Sequence, residues 1–371
     1  MQRVGLDRTV KNEWLWRGMQ RIGIELFNVA GNDVEELRTL GVELKKNGRF
    51  VSANLLSSQS GEPLLDPYVI KTISAVKTNR MIRLGFIGLS AQVKKYSQKN
   101  NGVDYHWSNP LTTVKRWLPE LREQCDFVIA LACMPTKDAI QLAIDNSGID
   151  LIINGFEHQH QHDMSPIQIS RSTIVYSEDE AKSLGELRFS LKLQGKPDVQ
   201  SLNYRLTREV KDDPEMASFM VKAKAQIAAR QAELARRVTA TDKLPQGGGL
   251  SSFVTSETCR SCHLDAFKVW ENSAHAHAID ILKKEKKEFD TQCVVCHVTG
   301  SGQPGGFTDL YRTSQLANVQ CEACHGQGRA HSQQPTGIKM DSLGPISCLG
   351  CHNRSNSPEF EFVSYWEAIK H

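Results

Sequence analysis

Cys259-Arg-Ser-Cys262-His263 is the first of four pentapeptides with one shared pattern in the last third of the chain. The other three are Cys293-Val-Val-Cys296-His297, Cys321-Glu-Ala-Cys324-His325 and Cys348-Leu-Gly-Cys351-His352. Eight of the ten cysteines lie in these pentapeptides, and only Cys125 and Cys133 lie elsewhere. This distribution divides the chain into a long region poor in cysteine and a shorter region organised around the repeat.

The Cys-x-x-Cys-His pattern is the attachment signature of c-type haem. Two thiols one helical turn apart bond to the two vinyl groups of one haem, and the adjacent histidine binds the iron from the proximal side. We therefore predict four haem c groups. The predicted thioether residues are Cys259, Cys262, Cys293, Cys296, Cys321, Cys324, Cys348 and Cys351, and the predicted proximal ligands are His263, His297, His325 and His352.

Paired cysteines have two other common uses. Four pairs could form two zinc sites of four cysteines each, or they could form four disulfides. Neither use requires a histidine after every pair. Histidine makes up 12 of the 371 residues, so chance would place one after all four pairs with a probability on the order of 10⁻⁶. The pattern favours haem.

Four further histidines lie in residues 251–371, namely His275, His277, His331 and His371. Four haems with two axial imidazoles each need eight histidines, which is the number that this region contains. Any of the four can instead be an ordinary surface residue. Because His275 and His277 are two positions apart, they point to roughly opposite sides of a helix and cannot bind the same iron. All four are candidates for distal ligands.

The first region predicts an α/β layered domain over residues 1–210. Apolar runs at 22–29, 51–55, 81–89, 126–133 and 150–154 predict strands, and helical spacing appears at 33–47, 113–124 and 136–147. Runs 185–193 and 199–206 alternate as antiparallel strands do. A helix at 211–240 and a glycine-rich linker to 250 follow. Residues 251–371 predict a mostly helical domain packed around its haems, because about 30 residues per haem leave little chain for an ordinary core.

The composition of the chain excludes several classes of protein. The net charge of +3 is too small to indicate nucleic-acid binding. Mean hydropathy is −0.39, and no apolar run reaches the roughly 18–20 residues of a membrane span. The first 50 residues show no short apolar core followed by a small-residue cleavage site, so no secretory signal is visible there. Residues 251–371 carry 11 Lys and Arg against 13 Asp and Glu, whereas the first 250 residues carry 34 against 29. This difference in charge between the two regions could orient docking with redox partners or with another copy of the chain.

Three stretches of the last third resemble the cytochrome c554 family of tetrahaem electron carriers. They are Trp270-Glu-Asn-Ser-Ala-His275-Ala-His-Ala, Cys296-His-Val-Thr-Gly300-Ser-Gly-Gln-Pro-Gly305-Gly-Phe-Thr and Val319-Gln-Cys-Glu-Ala-Cys-His325-Gly-Gln-Gly328. The resemblance implies that His275, His331 and His371 are distal ligands. It also implies that the second haem, above His297, can lack a distal ligand from the protein. His277 departs from the family pattern and could fill that position.

The first region resembles the 5′-nucleotidase branch of the metallophosphoesterases over about residues 21–208. The matching stretches, in order, are Gly31-Asn32-Asp33, Val51-Ser-Ala-Asn54-Leu, Ile82-Arg-Leu-Gly-Phe-Ile-Gly88-Leu, Asp126-Phe-Val-Ile-Ala-Leu131 and Gly148-Ile-Asp-Leu-Ile-Ile-Asn-Gly155-Phe-Glu-His158. Enzymes of this branch hold two metal ions with Asp, His and Asn side chains at strand ends.

Most residues of that metal centre have no counterpart here. The first aspartate–histidine motif and the bridging aspartate are absent, Asp33 replaces the catalytic histidine, and Ala132-Cys133 replaces a metal-binding histidine. Only Asn32 and His158 remain as a remnant metal site, so we expect no hydrolase activity. The resemblance implies that the numbered chain is a mature or truncated form.

A short histidine-rich segment leaves several uses open. His158, His160 and His162 alternate with other residues, and they could hold a single transition metal, donate an imidazole to a haem, or form a solvated loop. Cys125 and Cys133 are expected to be buried thiols in strand context rather than a disulfide.

Together these features predict a multihaem c-type cytochrome that transfers electrons, with the degenerate domain as a docking or assembly module. Two alternatives remain: a redox enzyme acting on a small nitrogen or oxygen species at a five-coordinate haem, and a structural, electron-conducting subunit of a larger cytochrome complex or filament. The expected partners are redox proteins or further copies of the chain. Because haem c is attached outside the bacterial cytoplasm, residence in the periplasm or outside the cell is expected.

Overall fold

The computed structural model describes residues 3–44, 48–75, 79–91, 104–155, 165–177, 183–190, 198–207, 209–241, 252–353 and 356–371. The chain divides into an α/β unit, Asn12–Asp213, and a C-terminal unit that combines Met1–Lys11 with Pro214–His371. From the sequence we place the first boundary after residue 210, three residues before this division. We also assign the first eleven residues to the α/β domain, whereas the structure groups them with the C-terminal unit, where Lys11 forms an ion pair with Asp290.

The helices and strands up to the division follow in chain order. They are α1 (Arg3–Arg21), β1 (Phe27–Asn28), α2 (Asp33–Thr39), β2 (Phe50–Val51), β3 (Leu55–Ser57), β4 (Tyr68–Ser74), β5 (Met81–Ser90), β6 (Tyr105–Trp107), α3 (Pro110–Gln124), β7 (Phe127–Cys133), α4 (Thr136–Asp145), β8 (Leu151–Asn154), β9 (Ile167–Ile169), β10 (Ser172–Tyr176), β11 (Ser183–Ser190) and β12 (Asp198–Arg205).

A six-stranded sheet in the order β4-β5-β7-β8-β10-β9 forms the centre of the α/β unit. Strands β5, β7, β8 and β10 run parallel, and β4 and β9 pair antiparallel at the two edges. Smaller pairs form between β1 and β2, which are parallel, and between β3 and β6, which are antiparallel. Strands β11 and β12 form an antiparallel pair over eight residues each, as predicted for this part of the chain.

Both faces of the central sheet are buried. On one face, Ile87 and Val128 belong to an apolar cluster that includes Leu121 of α3. On the other face, Phe127 stacks on Phe189 of β11 with 4.6 Å between ring centroids. Buried parallel strands are apolar on both sides, which is why their sequences are nearly continuous apolar runs. The unit is therefore an α/β layered domain, and the predicted fold class is confirmed.

Several predicted elements differ from the observed ones. Predicted strands 81–89, 126–133 and 150–154 agree with β5, β7 and β8 to within one residue. The strand predicted at 22–29 is wrong in its first part, because α1 extends to Arg21 and Gly23 turns the chain at φ 78°. The helix predicted at 33–47 ends at Thr39, because Gly41 adopts φ 67° and its N–H donates back to the Arg38 carbonyl. The strand predicted at 51–55 is interrupted between β2 and β3.

The C-terminal unit is helical in its described residues, 3–11, 214–241, 252–353 and 356–371, and contains no β-strand there. Its helices are α5 (Pro214–Thr241), α6 (Ser256–Arg260), α7 (Leu264–Glu271), α8 (Ala278–Lys284), α9 (Thr291–Val294), α10 (Cys321–His325), α11 (Arg329–Gln333), α12 (Pro345–Leu349) and α13 (Phe362–Glu367), with 3-10 turns at Ala274–His277 and Ser314–Leu316. Its apolar cluster has only seven buried side chains. Among the described helices, none has both the length and the apolar character to cross a membrane.

Candidate haem-binding site

Each of the four Cys-x-x-Cys-His segments starts in a short helix. Helix α6 carries Cys259, α9 carries Cys293, α12 carries Cys348, and α10 consists of the whole third segment, Cys321–His325. The His263 and His352 amides donate to the carbonyls of Cys259 and Cys348, each at 2.9 Å. One helical turn thus brings both cysteines of a segment to the same side, as attachment to one porphyrin requires.

None of the ten cysteines forms a disulfide in the structure, so the disulfide alternative has no support from it. Within the described ranges, no group of three or more His, Cys, Asp or Glu side chains is placed to hold a metal ion, so the four-cysteine zinc alternative has no support from the structure either.

Thiols of different segments lie close together. The thiols of Cys259 and Cys321 share a hydrogen bond, which lowers the pKa of Cys259 and raises that of Cys321. Burial, with the nearby Cys296, raises the pKa of the Cys351 thiol to about 12. Burial also raises the pKa of Cys324, and Cys348 adds to that shift. The first segment therefore lies beside the third, and the fourth lies beside both the second and the third.

Three imidazole pairs join a proximal histidine to a distal candidate. The ring centroids of His263 and His331 are 6.1 Å apart. Those of His352 and His275 are 6.1 Å apart. Those of His325 and His371 are 6.0 Å apart. In each pair the two histidines are far apart in the sequence, and each pair contains a different proximal histidine.

Hydrogen bonds at Nδ1 leave Nε2 as the nitrogen available to a metal. Nδ1 of His331 lies 2.5 Å from the Ile338 carbonyl, that of His325 lies 3.2 Å from the Asp341 carbonyl, and that of His371 lies 3.0 Å from the Ile369 carbonyl. Metal-binding histidines commonly orient themselves in this way. Nδ1 of His352 instead lies 3.2 Å from the Ser357 hydroxyl, and Phe360 stacks on the His352 ring at 4.9 Å.

Burial lowers the pKa of His275, and the neighbouring His352 lowers it further. Burial also lowers the pKa of His352. A depressed pKa favours the neutral imidazole, which is the form that binds iron. Both rings of this pair are therefore suited to a metal at neutral pH.

His297, the proximal histidine of the second segment, has a different environment. Its Nδ1 lies 2.5 Å from the Ala278 carbonyl, so Nε2 is the nitrogen available to a metal, as in His325. Among the described residues, no second imidazole makes a ring contact with it. The side chain of His277 is 67% exposed, and its Nδ1 lies 3.8 Å from an Asp280 carboxylate oxygen. The structure thus brings three of the four distal candidates to a proximal histidine and leaves His277 apart.

A buried carboxylate inside the third segment holds the first segment in place. Glu322 is 3% exposed, and its oxygens accept hydrogen bonds from the backbone N–H groups of Val254, Thr255 and Gly328 at 2.7–3.0 Å. Sequence reasoning assigned Glu322 no role. The position of a charged residue between two attachment cysteines is the sequence feature that could have indicated a role for Glu322.

Gln320 satisfies all its polar atoms in the same region. Its side-chain oxygen accepts from the Ser256 amide at 2.8 Å, and its side-chain nitrogen donates to the carbonyls of Gln315 and Ala317. Its backbone N–H donates to the Thr299 hydroxyl at 2.9 Å. This network connects the start of α6, the loop after the second segment and the start of α10.

The residues predicted for a remnant metal site lie in the α/β unit. Asn32 precedes α2 and its side chain makes no capping hydrogen bond, while His158, His160 and His162 lie outside the described residues. Asp33 stays exposed to solvent, but desolvation by the surrounding protein raises the pKa of its carboxyl group. Burial raises the pKa of Cys133 to about 11, and Asp33 adds to that shift, so α2 begins close to the end of β7. Cys125 is buried, as expected, whereas Cys133 is only partly buried.

Residues 258–326 match the family model of cytochrome c554 and c-prime. Cytochrome c-554 of Nitrosomonas europaea is 39% identical over 92 residues, which cover 21% of this chain and 39% of that protein. The predicted resemblance is confirmed for this part of the chain. The matched residues include the first three Cys-x-x-Cys-His segments.

The earlier part of the chain is similar to a different class of protein. The 2′,3′-cyclic-nucleotide 2′-phosphodiesterase/3′-nucleotidase of Yersinia enterocolitica is 30% identical over 124 residues, which are 29% of this chain and 19% of that protein. The chain thus spans well under half of either curated relative. More distant likenesses are a Thermus thermophilus sulfate thiohydrolase SoxB (TM-score 0.49, 18% identity, 60% of this chain and 40% of that one) and the calcineurin-like phosphoesterase YfkN of Bacillus subtilis (TM-score 0.47, 17% identity, 60% and 77%).

Proposed function

We propose that this protein is an electron carrier with four haem c groups, one on each Cys-x-x-Cys-His segment. The observation that carries the proposal is the set of three imidazole pairs with centroids 6.0–6.1 Å apart. Two iron–nitrogen bonds of about 2.0 Å, the usual imidazole–metal length, and about 1.1 Å from each nitrogen to its ring centre add up to about 6.2 Å. Each pair therefore has room for one iron atom between its rings.

The chain's own residues hold and orient this cofactor. Haem c, when bound, supplies an iron that changes between the ferric and ferrous states. The cysteines would anchor each porphyrin, and the two imidazoles of each histidine pair would limit the change in geometry on electron transfer at three of the four irons. The carbonyls at Nδ1 fix the ring orientation and raise the basicity of the ligands. The first segment lies beside the third, and the fourth lies beside the second and the third; these contacts support close spacing of the haems, which electron transfer needs.

A second candidate function rests on His297. Within the described part of the chain this proximal histidine has no imidazole opposite it, and His277 is exposed and beside Asp280. An iron bound there would keep an open position for a small nitrogen or oxygen species. The protein would then be a redox enzyme at its second haem as well as a carrier.

For the α/β unit we propose a docking or assembly role without phosphoesterase activity. A two-metal hydrolase needs most of its ligands, and this chain has Asp33 and Cys133 where its relatives have histidines. The unit offers a surface for redox proteins or for further copies of the chain, including a larger cytochrome complex. Attachment of haem c places the mature protein outside the cytoplasm, in the periplasm or beyond.

One experiment tests both functions of the C-terminal unit. Haem is quantified per chain, and the oxidised protein is studied by EPR. We expect four haems, three low-spin and one high-spin, with the high-spin signal changing when a small ligand such as nitric oxide or cyanide is added. Fewer than four haems would refute the tetrahaem proposal, and four low-spin haems would refute the open iron. For the α/β unit we expect no manganese-dependent hydrolysis of a chromogenic phosphate ester, and metal-dependent turnover would refute the proposed docking role.

A further inference from the structure

Lys11 and Asp290 form a largely buried ion pair beside the second haem motif. Lys11 Nζ lies 2.8 Å from Asp290 Oδ2, although the two residues are 279 positions apart in sequence. Their side chains are only 26% and 12% exposed. Because Lys11 lies far outside the part of the chain that carries the haem motifs, the motif pattern gives it no role.

The two oxygens of Asp290 do different things. Oδ1 accepts the Gln292 amide at 3.0 Å and so caps α9, the helix that carries Cys293. Oδ2 holds the Lys11 ammonium. The Asp290 carbonyl also accepts the amides of Cys293 and Val294 at 3.0 and 2.9 Å. Since asparagine caps a helix about as well as aspartate, the charge of Asp290 can be removed while its cap is kept.

The Lys11–Asp290 pair lies next to Cys293, because Asp290 is the N-cap residue of the helix that carries this cysteine. Lys287 is a further ammonium group near Cys293. Lys287 is exposed, so water and salt screen it. The Lys11–Asp290 pair is partly desolvated and is screened much less. A change in the charge of this pair should therefore affect a haem bonded to Cys293 more strongly than a change in the charge of Lys287.

We propose that Lys11 is a positioning residue for the second haem, and that by neutralising Asp290 it raises the reduction potential of that haem. The inference rests on the proposed function, since it requires a haem at Cys293 and Cys296. A ferric haem has one more positive charge than a ferrous haem. An uncompensated carboxylate nearby stabilises the ferric form and lowers the potential, and an uncompensated ammonium raises it.

The test compares variants with opposite expected shifts. Lys11→Met keeps the aliphatic stem but removes the ammonium group that compensates the Asp290 carboxylate, so the midpoint potential of one haem should fall. Asp290→Asn keeps the cap and removes the negative charge of the carboxylate, so the same potential should rise. The double variant and Lys11→Arg should both stay close to the unmodified protein. Lys283→Met is the control, because Lys283 pairs with Asp280 at the surface, and it should shift nothing.

The measurement is a redox titration of the purified full-length holoprotein, followed by its absorbance and by the high-spin EPR signal. Shifts in the same direction, or no shift, in Lys11→Met and Asp290→Asn would overturn the proposal. Loss of haem from both variants would also overturn it, because that result means a purely structural anchor. Absence of haem from the Cys293–Cys296 peptide of the unmodified protein, detected by mass spectrometry, would instead refute the proposed function.

Discussion

The rings of His275 and His352 lie 6.1 Å apart, although His275 follows the first haem motif and His352 belongs to the fourth. Hydrogen bonds with residues 318 and 319 hold the backbone around His275 in this position. The Val319 amide donates to the His275 carbonyl at 3.1 Å, and the Trp270 indole donates to the Val319 carbonyl at 2.7 Å. The Asn318 side chain accepts the Ile279 amide at 2.9 Å, on the far side of the same turn. The distal imidazole is thus held by the segment that leads into the third motif.

Replacing His275 with alanine should convert one haem from low-spin to high-spin, because the iron beside His352 loses its second imidazole. EPR of the oxidised protein measures the change as an additional high-spin signal. His277→Ala is the matched control, since the structure leaves His277 exposed. If His277→Ala creates the high-spin haem and His275→Ala does not, the assignment of the distal ligand is wrong.

Replacing Glu322 with glutamine should destabilise the C-terminal unit by about 2–3 kcal/mol, because three buried amide donors lose a charged acceptor and one meets an amide NH₂ group. Denaturant unfolding followed by haem absorbance measures the loss. Glu257→Gln in α6 is the control. Its side chain is 70% exposed, so its effect should stay within about 0.5 kcal/mol. Equal effects of the two variants would contradict the anchoring role of Glu322.

Replacing Gly300 with alanine should cost more stability than replacing Gly302. Both residues have positive φ, 71° and 78°, so each substitution costs about 1–2 kcal/mol of backbone strain. A Cβ at Gly300 would also lie 2.4 Å from the Phe253 ring, whereas a Cβ at Gly302 meets nothing within 4 Å. Overpacking adds about 1–3 kcal/mol. Thermal unfolding of both variants checks the difference, and equal melting temperatures would refute the close approach to Phe253.

Thiol titration should count two reactive cysteines in the unfolded holoprotein, Cys125 and Cys133, because thioether bonds occupy the other eight. In the folded protein, burial raises the pKa of Cys133 to about 11. At roughly pH 8 only about one Cys133 thiol in a thousand is then a thiolate, so alkylation should be slow and should accelerate as the pH rises. A Cys133→Ser variant identifies the signal. Ten thiols in the unfolded protein would contradict haem attachment.

Much of the α/β unit follows from local sequence. Strands β5, β7 and β8 are predicted to within one residue because each is an apolar run bounded by polar residues, and that pattern does not depend on the rest of the chain. Short strands such as β1, β2 and β9 owe their existence to a partner strand, so their own residues indicate them weakly. The end of α2 was missed for another reason: Gly41 ends the helix through its left-handed backbone conformation.

By itself, the sequence determined the four places at which a haem c can be attached, because attachment depends on two cysteines and one histidine within five residues. It also determined which histidines are available as distal ligands. Only the tertiary structure decided that His331 meets His263, that His275 meets His352 and that His371 meets His325, and only it brought Lys11 to Asp290 and Glu322 to Val254. These contacts join residues far apart in the chain, and their partners depend on how the helices pack around one another.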